Sequence, residues 1–174
     1  MIEAGQIKVK LKTNPKQLYE HQVEALEVLK KMEQHDSFKS MLVIPTGGGK
    51  TLTACWWLLN GALNQKKKVL WLAHRQLLLE QAYKTFELNA YADVMTNQWG
   101  FNYRIISGAH QSTKLVEKTD DLLIVSKDSL AKRVKSLDRW LRGEKELYVV
   151  VDEAHHVPAE SYRTIINSFP NAKL

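Results

Sequence analysis

Residues 44–51, of sequence IPTGGGKT, are the first in the chain whose types and spacing could do chemistry. The run of glycines lets the backbone fold so tightly that successive N–H groups point into one concavity, where they can hold phosphate oxygens. The Lys50 ammonium can reach the β- and γ-phosphates of a nucleotide, and the Thr51 hydroxyl can ligate Mg²⁺. Although Ile44 stands where the full pattern has glycine, the stretch predicts binding of ATP or GTP. The predicted nucleotide-binding residues of this loop are Thr46, Gly47, Gly48, Gly49, Lys50 and Thr51.

Two adjacent carboxylates, Asp152 and Glu153, directly follow the apolar run Leu147–Val151. The C-terminal end of a buried strand is where a phosphate-binding α/β fold places its second metal-binding element. We expect Asp152 to hold Mg²⁺ through water, and Glu153 to position and polarise the water that attacks the γ-phosphate. The predicted catalytic residues are therefore Lys50, Asp152 and Glu153, and the acid pair indicates hydrolysis rather than phosphoryl transfer to a small molecule.

Two histidines, His155 and His156, follow the acid pair and raise the question of zinc. Adjacent histidines do not readily share one metal ion, and Cys55 has no CxxC or HExxH context that would complete a tetrahedral site. We therefore predict that His155 has a hydrogen-bonding role that couples the nucleotide site to its surroundings. His156 could equally be a surface histidine.

The hydrophobic pattern predicts the elements that must position these residues. Apolar residues alternate over 7–11, which indicates an edge strand or an extended arm, and they recur at helical spacing over 18–32. The wholly apolar run 41–44 predicts a strand covered on both faces, followed by a helix from 50 to about 63. Further strands are predicted at 69–73, 103–107, 122–126 and 147–151, with helices at 75–87 and 127–142. Strands that alternate with helices predict a three-layer α/β fold with a mainly parallel sheet.

The composition excludes several classes of protein. The chain has 174 residues, of which 44% are hydrophobic and 25% charged, as is typical of a single globular domain rather than a disordered chain, collagen or a coiled coil. Its longest apolar run, 54–63, falls short of the ~20 residues of a membrane span, and its first residues do not resemble a signal peptide. With Cys55 as the single cysteine, we expect a cytoplasmic protein without a membrane partner.

The positive charge is concentrated in the middle of the chain. The net charge is +6, and residues 41–143 carry fifteen Lys and Arg against eight Asp and Glu, whereas 1–40 and 144–174 are nearly balanced. Such an excess is typical of a surface that binds a polyanion, because neutralised phosphates release counterions. A solvated surface would give the same count, and we assign 66–68 to a solvated loop.

Together, IPTGGGKT and VDEAHH resemble the first motor domain of superfamily-two helicases, in particular the DEAH-type group that includes the helicase subunits of type I and type III restriction enzymes. This resemblance implies a RecA-like domain that uses ATP and Mg²⁺. It also implies that Gln22, in the segment LYEHQ, reads the adenine edge. His21 stands where the family often has an aromatic residue. Residues 1–40 would then form an N-terminal arm and adenine-reading helix of the same domain as 41–174.

The resemblance extends to residues that would contact the backbone of a nucleic-acid strand. His74 and Arg75 in LAHR, Gly108 in the pair SG, and Ser126 in IVSKDSL occupy positions similar to the family's backbone-contacting motifs. A helix N-cap at Ser126 would look the same without any nucleic acid. Contacts to phosphate carry no base information, so we expect low sequence specificity.

The family likeness implies an ATP-dependent DNA helicase or translocase of bacterial or phage origin. In this family a Ser/Thr-Ala-Thr motif and a second RecA-like domain, which supplies an arginine to the ATP site, follow the DEAH box. We therefore expect a truncated first domain with weak activity alone, and nuclease or methyltransferase subunits as further partners. Two alternatives stay open: an RNA helicase or RNA sensor of the same superfamily, and a P-loop kinase or metabolic ATPase.

Overall fold

The computed structural model describes residues 3–107, 115–131, 133–153 and 160–174. Its strands are β1 (Ala4–Lys8), β2 (Lys68–Ala73), β3 (Gly100–Ile106), β4 (Leu122–Ser126) and β5 (Leu147–Val151). Its α-helices are α1 (Glu20–Met32), α2 (Lys50–Asn60), α3 (Gln76–Asn89), α4 (Lys127–Ala131), α5 (Asp138–Leu141) and α6 (Glu160–Asn167). No helix in the described ranges has the length and apolar character needed to cross a membrane.

The strands form one sheet in the order β1-β3-β4-β2-β5. Strand β2 pairs in parallel with both of its neighbours, so that Trp71 lies opposite Ile124 on one side and Val150 on the other. Strand β3 is parallel to β4, whereas β1 closes the far edge antiparallel to β3. The predicted α/β fold with a mainly parallel sheet is confirmed, and its arrangement is consistent with a RecA-like domain.

Helices cover both faces of the sheet, which gives the three layers. Along β2, Val69 and Trp71 pack into a core shared with α1, α2 and α3, while Leu70 and Leu72 pack into a second core shared with α4, α5 and α6. A strand covered on both faces is apolar throughout, which explains the continuous apolar runs in the sequence. Since the carboxyl ends of parallel strands meet at one edge, the residues that follow β2, β4 and β5 lie along the same edge.

The buried strand predicted for 41–44 is wrong. Met41 and Val43 are 73% and 81% exposed, and within the described ranges no backbone–backbone hydrogen bond joins 41–44 to another segment. Pairing stops just before this run, where the Ser40 N–H donates to the Leu174 carbonyl at 2.8 Å. A cavity then separates 41–44 from β5. An apolar run becomes a strand only where a neighbour takes its backbone hydrogen bonds, and no described strand flanks this one.

The single helix predicted over 127–142 is also wrong. The chain instead forms α4, a 3₁₀ turn at Val134–Leu137 and α5. This bend brings the buried Trp140 to the carbonyl of Asp120, to which its indole N–H donates at 2.6 Å. A buried indole N–H needs such a partner, and the sequence pattern does not show where that partner lies.

The solvated loop predicted for 66–68 ends one residue earlier than expected. Lys66 is exposed, but Lys68 is only 5% exposed and begins β2. Its ammonium donates to the carbonyls of Lys118 at 2.7 Å and Asp120 at 2.8 Å. A lysine can bury its aliphatic stem where carbonyl oxygens satisfy its charged end, so this residue contributes to the fold rather than to a solvated surface.

Candidate nucleotide-binding site

The glycine loop leads directly into the N-terminus of α2. Gly47 and Gly49 have φ angles of +81° and +84°, in the left-handed region that favours glycine, and Gly49 is the residue before the first helical turn. The Gly48 N–H donates to the Pro45 carbonyl at 2.9 Å, which closes a tight turn. The first N–H groups of a helix have no partners within the helix, so this loop and the start of α2 are suited to binding phosphate.

Helix α1 places two side chains against this loop. Gln22 is 1% exposed, its Nε2 donates to the Gly48 carbonyl at 3.1 Å, and its Oε1 accepts from the Tyr19 N–H at 2.9 Å. The Nε2 atom of His21 lies 3.0 Å from the same carbonyl, so it donates when that nitrogen is protonated. The rings of Tyr19 and His21 are stacked, with centroids 5.7 Å apart. Gln22, the predicted adenine reader, therefore contacts the phosphate loop here.

The sequence did not predict that His21 contacts the glycine loop, and this contact makes His21 a further functional candidate. Its position next to Gln22 in the first turn of α1 was the available signal, because neighbours at a helix start can reach the same backbone group. What the sequence did not show is that the shared group is the carbonyl of Gly48.

The acid pair lies at the end of β5, as its position in the sequence predicts. The Asp152 N–H donates to the Leu72 carbonyl at 2.8 Å, which extends the parallel ladder by one residue. The Glu153 N–H donates to Asp152 Oδ1 at 3.0 Å, and Glu153 adopts a left-handed backbone with φ of +56°. A non-glycine residue in this region is uncommon and occurs at sites where the chain must turn sharply.

Burial raises the pKa of Asp152 above its ordinary value. The negative charge of Glu153 adds to this rise, while the Glu153 N–H and the Lys50 ammonium oppose it. Lys50 donates to the Ile44 carbonyl at 3.2 Å, and it lines the same cavity as both acids.

A cavity of about 400 Å³ joins the two motifs. Its polar lining includes Lys50, Thr51, Asp152 and Glu153, and its apolar part is the groove between 41–44 and β5. Small-molecule sites typically have volumes of about 300–1,000 Å³, so the space is adequate for a ligand. The structure therefore brings together residues that lie a hundred positions apart in the chain.

The oxygen donors in this cavity suit a hard cation that is shared with a ligand. In the described part of the chain, no group of three or more His, Cys, Asp or Glu side chains could hold a metal ion. Thr51 and Asp152, whose side chains carry oxygen donors, both line the cavity. Mg²⁺ is commonly bound by one or two such protein oxygens together with phosphate oxygens and water. The residues thus fit magnesium bound with a nucleotide.

Three of the predicted nucleic-acid contacts, His74, Arg75 and Ser126, lie along the same sheet edge as the acid pair. His74 and Arg75 follow β2, where Arg75 is exposed immediately before α3. Ser126 ends β4 opposite Ala73, is half-buried, and accepts from the Ser129 hydroxyl at 3.5 Å. The remaining predicted residues, Gly108 and His155, lie outside the described residues, as does His156.

A mainly parallel α/β sheet, a glycine loop at a helix start and an acid pair at a strand end in one cavity define a P-loop nucleoside triphosphatase domain. Residues 15–174 match the family described as the res subunit of type III restriction enzymes, ResIII, and the chain belongs to this family. The resemblance to restriction-enzyme helicase subunits is thereby confirmed. Membership implies ATP-dependent helicase or translocase activity on nucleic acid. No curated protein matches the chain at a significant level.

Proposed function

We propose that this chain is the first motor domain of an ATP-dependent DNA helicase or translocase of the restriction type. The observation that carries the proposal is the single cavity lined by Lys50 and Thr51 on one side and by Asp152 and Glu153 on the other. A triphosphate whose phosphates lie at the start of α2 would meet all four side chains at once.

Binding of ATP is assigned to the glycine loop and α1. The loop amides and the Lys50 ammonium hold the phosphates, with Thr46 and the glycines 47–49 shaping the loop. Lys50 would leave the Ile44 carbonyl to do so, since that contact occupies its ammonium. Gln22 holds Gly48 in the structure, and we propose that it exchanges this contact for the adenine edge when the nucleotide binds.

Hydrolysis is assigned to the acid pair. Glu153 accepts a proton from the attacking water and orients it toward the γ-phosphate. Thr51 and Asp152 would hold Mg²⁺, which neutralises charge that develops on the phosphates. Asp152 serves this role as a carboxylate, and the Lys50 ammonium favours that charged form.

Contact with DNA is assigned to the carboxyl edge of the sheet, through His74, Arg75, Ser126 and, from the family motif, Gly108. His155 would couple this edge to the nucleotide. A second RecA-like domain would complete the ATP site with an arginine, which contributes orders of magnitude to turnover. Nuclease or methyltransferase subunits are the further partners that we propose.

Titration with a fluorescent ATP analogue, with and without Mg²⁺, tests the nucleotide site. We expect Mg²⁺-dependent binding that Lys50→Ala weakens by about tenfold or more, because charge-assisted hydrogen bonds to phosphate are lost. Lys84→Ala is the matched control, since Lys84 is exposed on α3 away from the cavity. Equal affinities of the two variants would refute the assignment of the glycine loop.

Titration with labelled single-stranded DNA and RNA at two salt concentrations tests the partner. We expect DNA affinity to fall as the salt concentration rises. Arg75→Ala should reduce the slope of log affinity against log salt concentration by about one, because one phosphate contact is lost. Preference for RNA would favour an RNA helicase, because proteins distinguish the two through the 2′-hydroxyl. Salt-independent or absent binding would contradict a nucleic-acid motor.

A further inference from the structure

Tyr162 of α6 is completely buried, yet its hydroxyl makes no hydrogen bond within the described ranges of the chain. A buried hydroxyl without a partner destabilises a fold, because it has given up water and gained nothing. The ring alone would fill the same space, so the hydroxyl calls for a role outside the packing of this core.

The ring of Tyr162 lies next to the segment that carries a predicted nucleic-acid contact. Its ring packs in the core with Leu72 and Val125, near the ends of β2 and β4. The Lys127 ammonium lies 5.9 Å from the centre of the ring and forms an ion pair of 2.6 Å with Asp128. Lys127 directly follows Ser126, the predicted strand contact at the end of β4.

Asp152 of the nucleotide site is connected to the core that holds the same ring, because its N–H donates at 2.8 Å to the carbonyl of Leu72, which belongs to that core. Burial raises the pKa of Tyr162 to about 12, and the negative charges of Asp128 and Asp152 add to this rise. The phenol is therefore neutral at physiological pH. A neutral phenol is a hydrogen-bond donor, and a carboxylate is its strongest acceptor.

We propose that Tyr162 is a positioning residue that couples the nucleotide site to the strand-contacting segment: its hydroxyl donates to the Asp152 carboxylate when nucleotide binds, and its ring carries that movement to Lys127. The inference rests on the proposed function. Lys127 interacts with the face of the ring, so any displacement of the ring changes where the ammonium and the neighbouring Ser126 are held. A ligand shifts a second site only through such a differential contact.

The test measures the effect of nucleotide on DNA affinity in this chain. The Kd of a labelled single-stranded oligodeoxythymidylate is determined with and without a non-hydrolysable ATP analogue and Mg²⁺, for wild type, Tyr162→Phe and Tyr83→Phe. Tyr83 is the matched control, because its hydroxyl donates to Glu87 at 2.6 Å on α3, away from the acid pair. Each ligand is also titrated alone, and thermal unfolding is recorded.

For wild type and Tyr83→Phe we expect the nucleotide to change DNA affinity about fivefold or more. For Tyr162→Phe we expect this factor to fall close to one and the nucleotide to bind more weakly, because the hydrogen bond to Asp152 is lost, while the affinity for DNA alone stays within about twofold of wild type. Its melting temperature should equal or exceed that of wild type, because an unpartnered hydroxyl is removed. A merely structural role would leave the coupling factor intact.

Two results would overturn the inference and spare the proposed function: a wild-type coupling factor in Tyr162→Phe, or a wild-type chain that binds both ligands without coupling. A wild-type chain that fails to bind the nucleotide would instead contradict the proposed function, and this inference with it.

Discussion

The side-chain amide of Gln22 donates to the carbonyl of Gly48 at 3.1 Å, across 26 positions of the sequence. This bond fixes the first turn of α1 to the glycine loop, and His21 reinforces it from the adjacent position. Both polar atoms of Gln22 are occupied, since its oxygen accepts from the Tyr19 N–H. If the same amide reads adenine, nucleotide binding and the conformation of the loop are linked through one side chain.

Substituting Gln22→Glu tests this bond. The carboxylate has the same shape but cannot donate, so it would face the Gly48 carbonyl as a second acceptor. We expect a loss of about 1–3 kcal/mol in the free energy of unfolding, together with weaker nucleotide binding. Denaturant unfolding and nucleotide titration measure both. Gln34→Glu is the control, because Gln34 is exposed beyond the end of α1. Equal stabilities of the two variants would contradict a structural role for the bond.

Gly49→Ala compared with Gly143→Ala separates backbone strain from steric collision. Both glycines have positive φ, of +84° and +88°, so each variant should lose about 1–2 kcal/mol of stability. A Cβ at Gly49 would also collide with the Gln22 amide, whereas a Cβ at Gly143 meets nothing within 4 Å. We therefore expect Gly49→Ala to be the less stable variant in denaturant unfolding and the one that loses nucleotide binding. Equal losses would show that the loop accommodates a methyl group.

A buried ion pair between Arg104 of β3 and Asp120, just before β4, gives a prediction about stability. Arg104 donates to both carboxylate oxygens of Asp120, at 2.7 and 3.3 Å, and the Glu117 N–H donates to the same carboxylate at 2.8 Å. Asp120→Asn removes the buried counter-charge of the arginine and leaves it only the exposed carboxylate of Glu117. We expect a loss of about 3–5 kcal/mol in the free energy of unfolding, measured by denaturant titration.

Glu117→Gln is the matched control for that variant. Its carboxylate lies 3.4 Å from the same guanidinium but is 68% exposed, so water screens the pair. We expect a change below about 1 kcal/mol. Losses of similar size in the two variants would contradict this prediction. They would mean that burial does not determine how much an ion pair of Arg104 contributes to the free energy of unfolding.

The raised pKa of Glu33 predicts that the stability of the fold depends on pH. Burial raises the pKa of Glu33 above its ordinary value of 4.5, against the opposing influence of Tyr148, Lys173 and Trp57. A carboxyl with a raised pKa in the folded state stabilises the fold fully below pH 4.5, and this contribution is lost as pH rises through the folded-state pKa. Glu33→Gln cannot ionise. We therefore expect the variant to gain stability relative to wild type as pH increases toward neutrality.

Thermal unfolding of both proteins across this pH range measures the difference. Glu27→Gln, at an exposed position on the same helix, controls for removing a charge from α1. A stability difference between Glu33→Gln and wild type that does not change with pH would contradict the predicted protonation of Glu33.

The local pattern of residues was sufficient for the class of fold and for the two nucleotide motifs. Continuous apolar runs at β2, β4 and β5 reflect strands covered on both faces, and Lys50 and Asp152 are placed by the elements that immediately precede or follow them. Such relations depend on neighbours in sequence, so periodicity and spacing are enough to predict them. The same reasoning failed for 41–44, because strand formation there depends on a partner elsewhere in the chain.

By itself, the sequence determined the α/β alternation, the glycine loop before α2 and the acids after β5. Tertiary structure alone decided that Gln22 holds Gly48, that the Lys68 ammonium is buried against the Asp120 carbonyl, and that the Lys127 ammonium lies over the ring of Tyr162. The physical reason is that hydrogen bonds and burial join whichever groups the packed layers bring within reach, and that proximity is a property of the assembled sheet and helices rather than of any one segment.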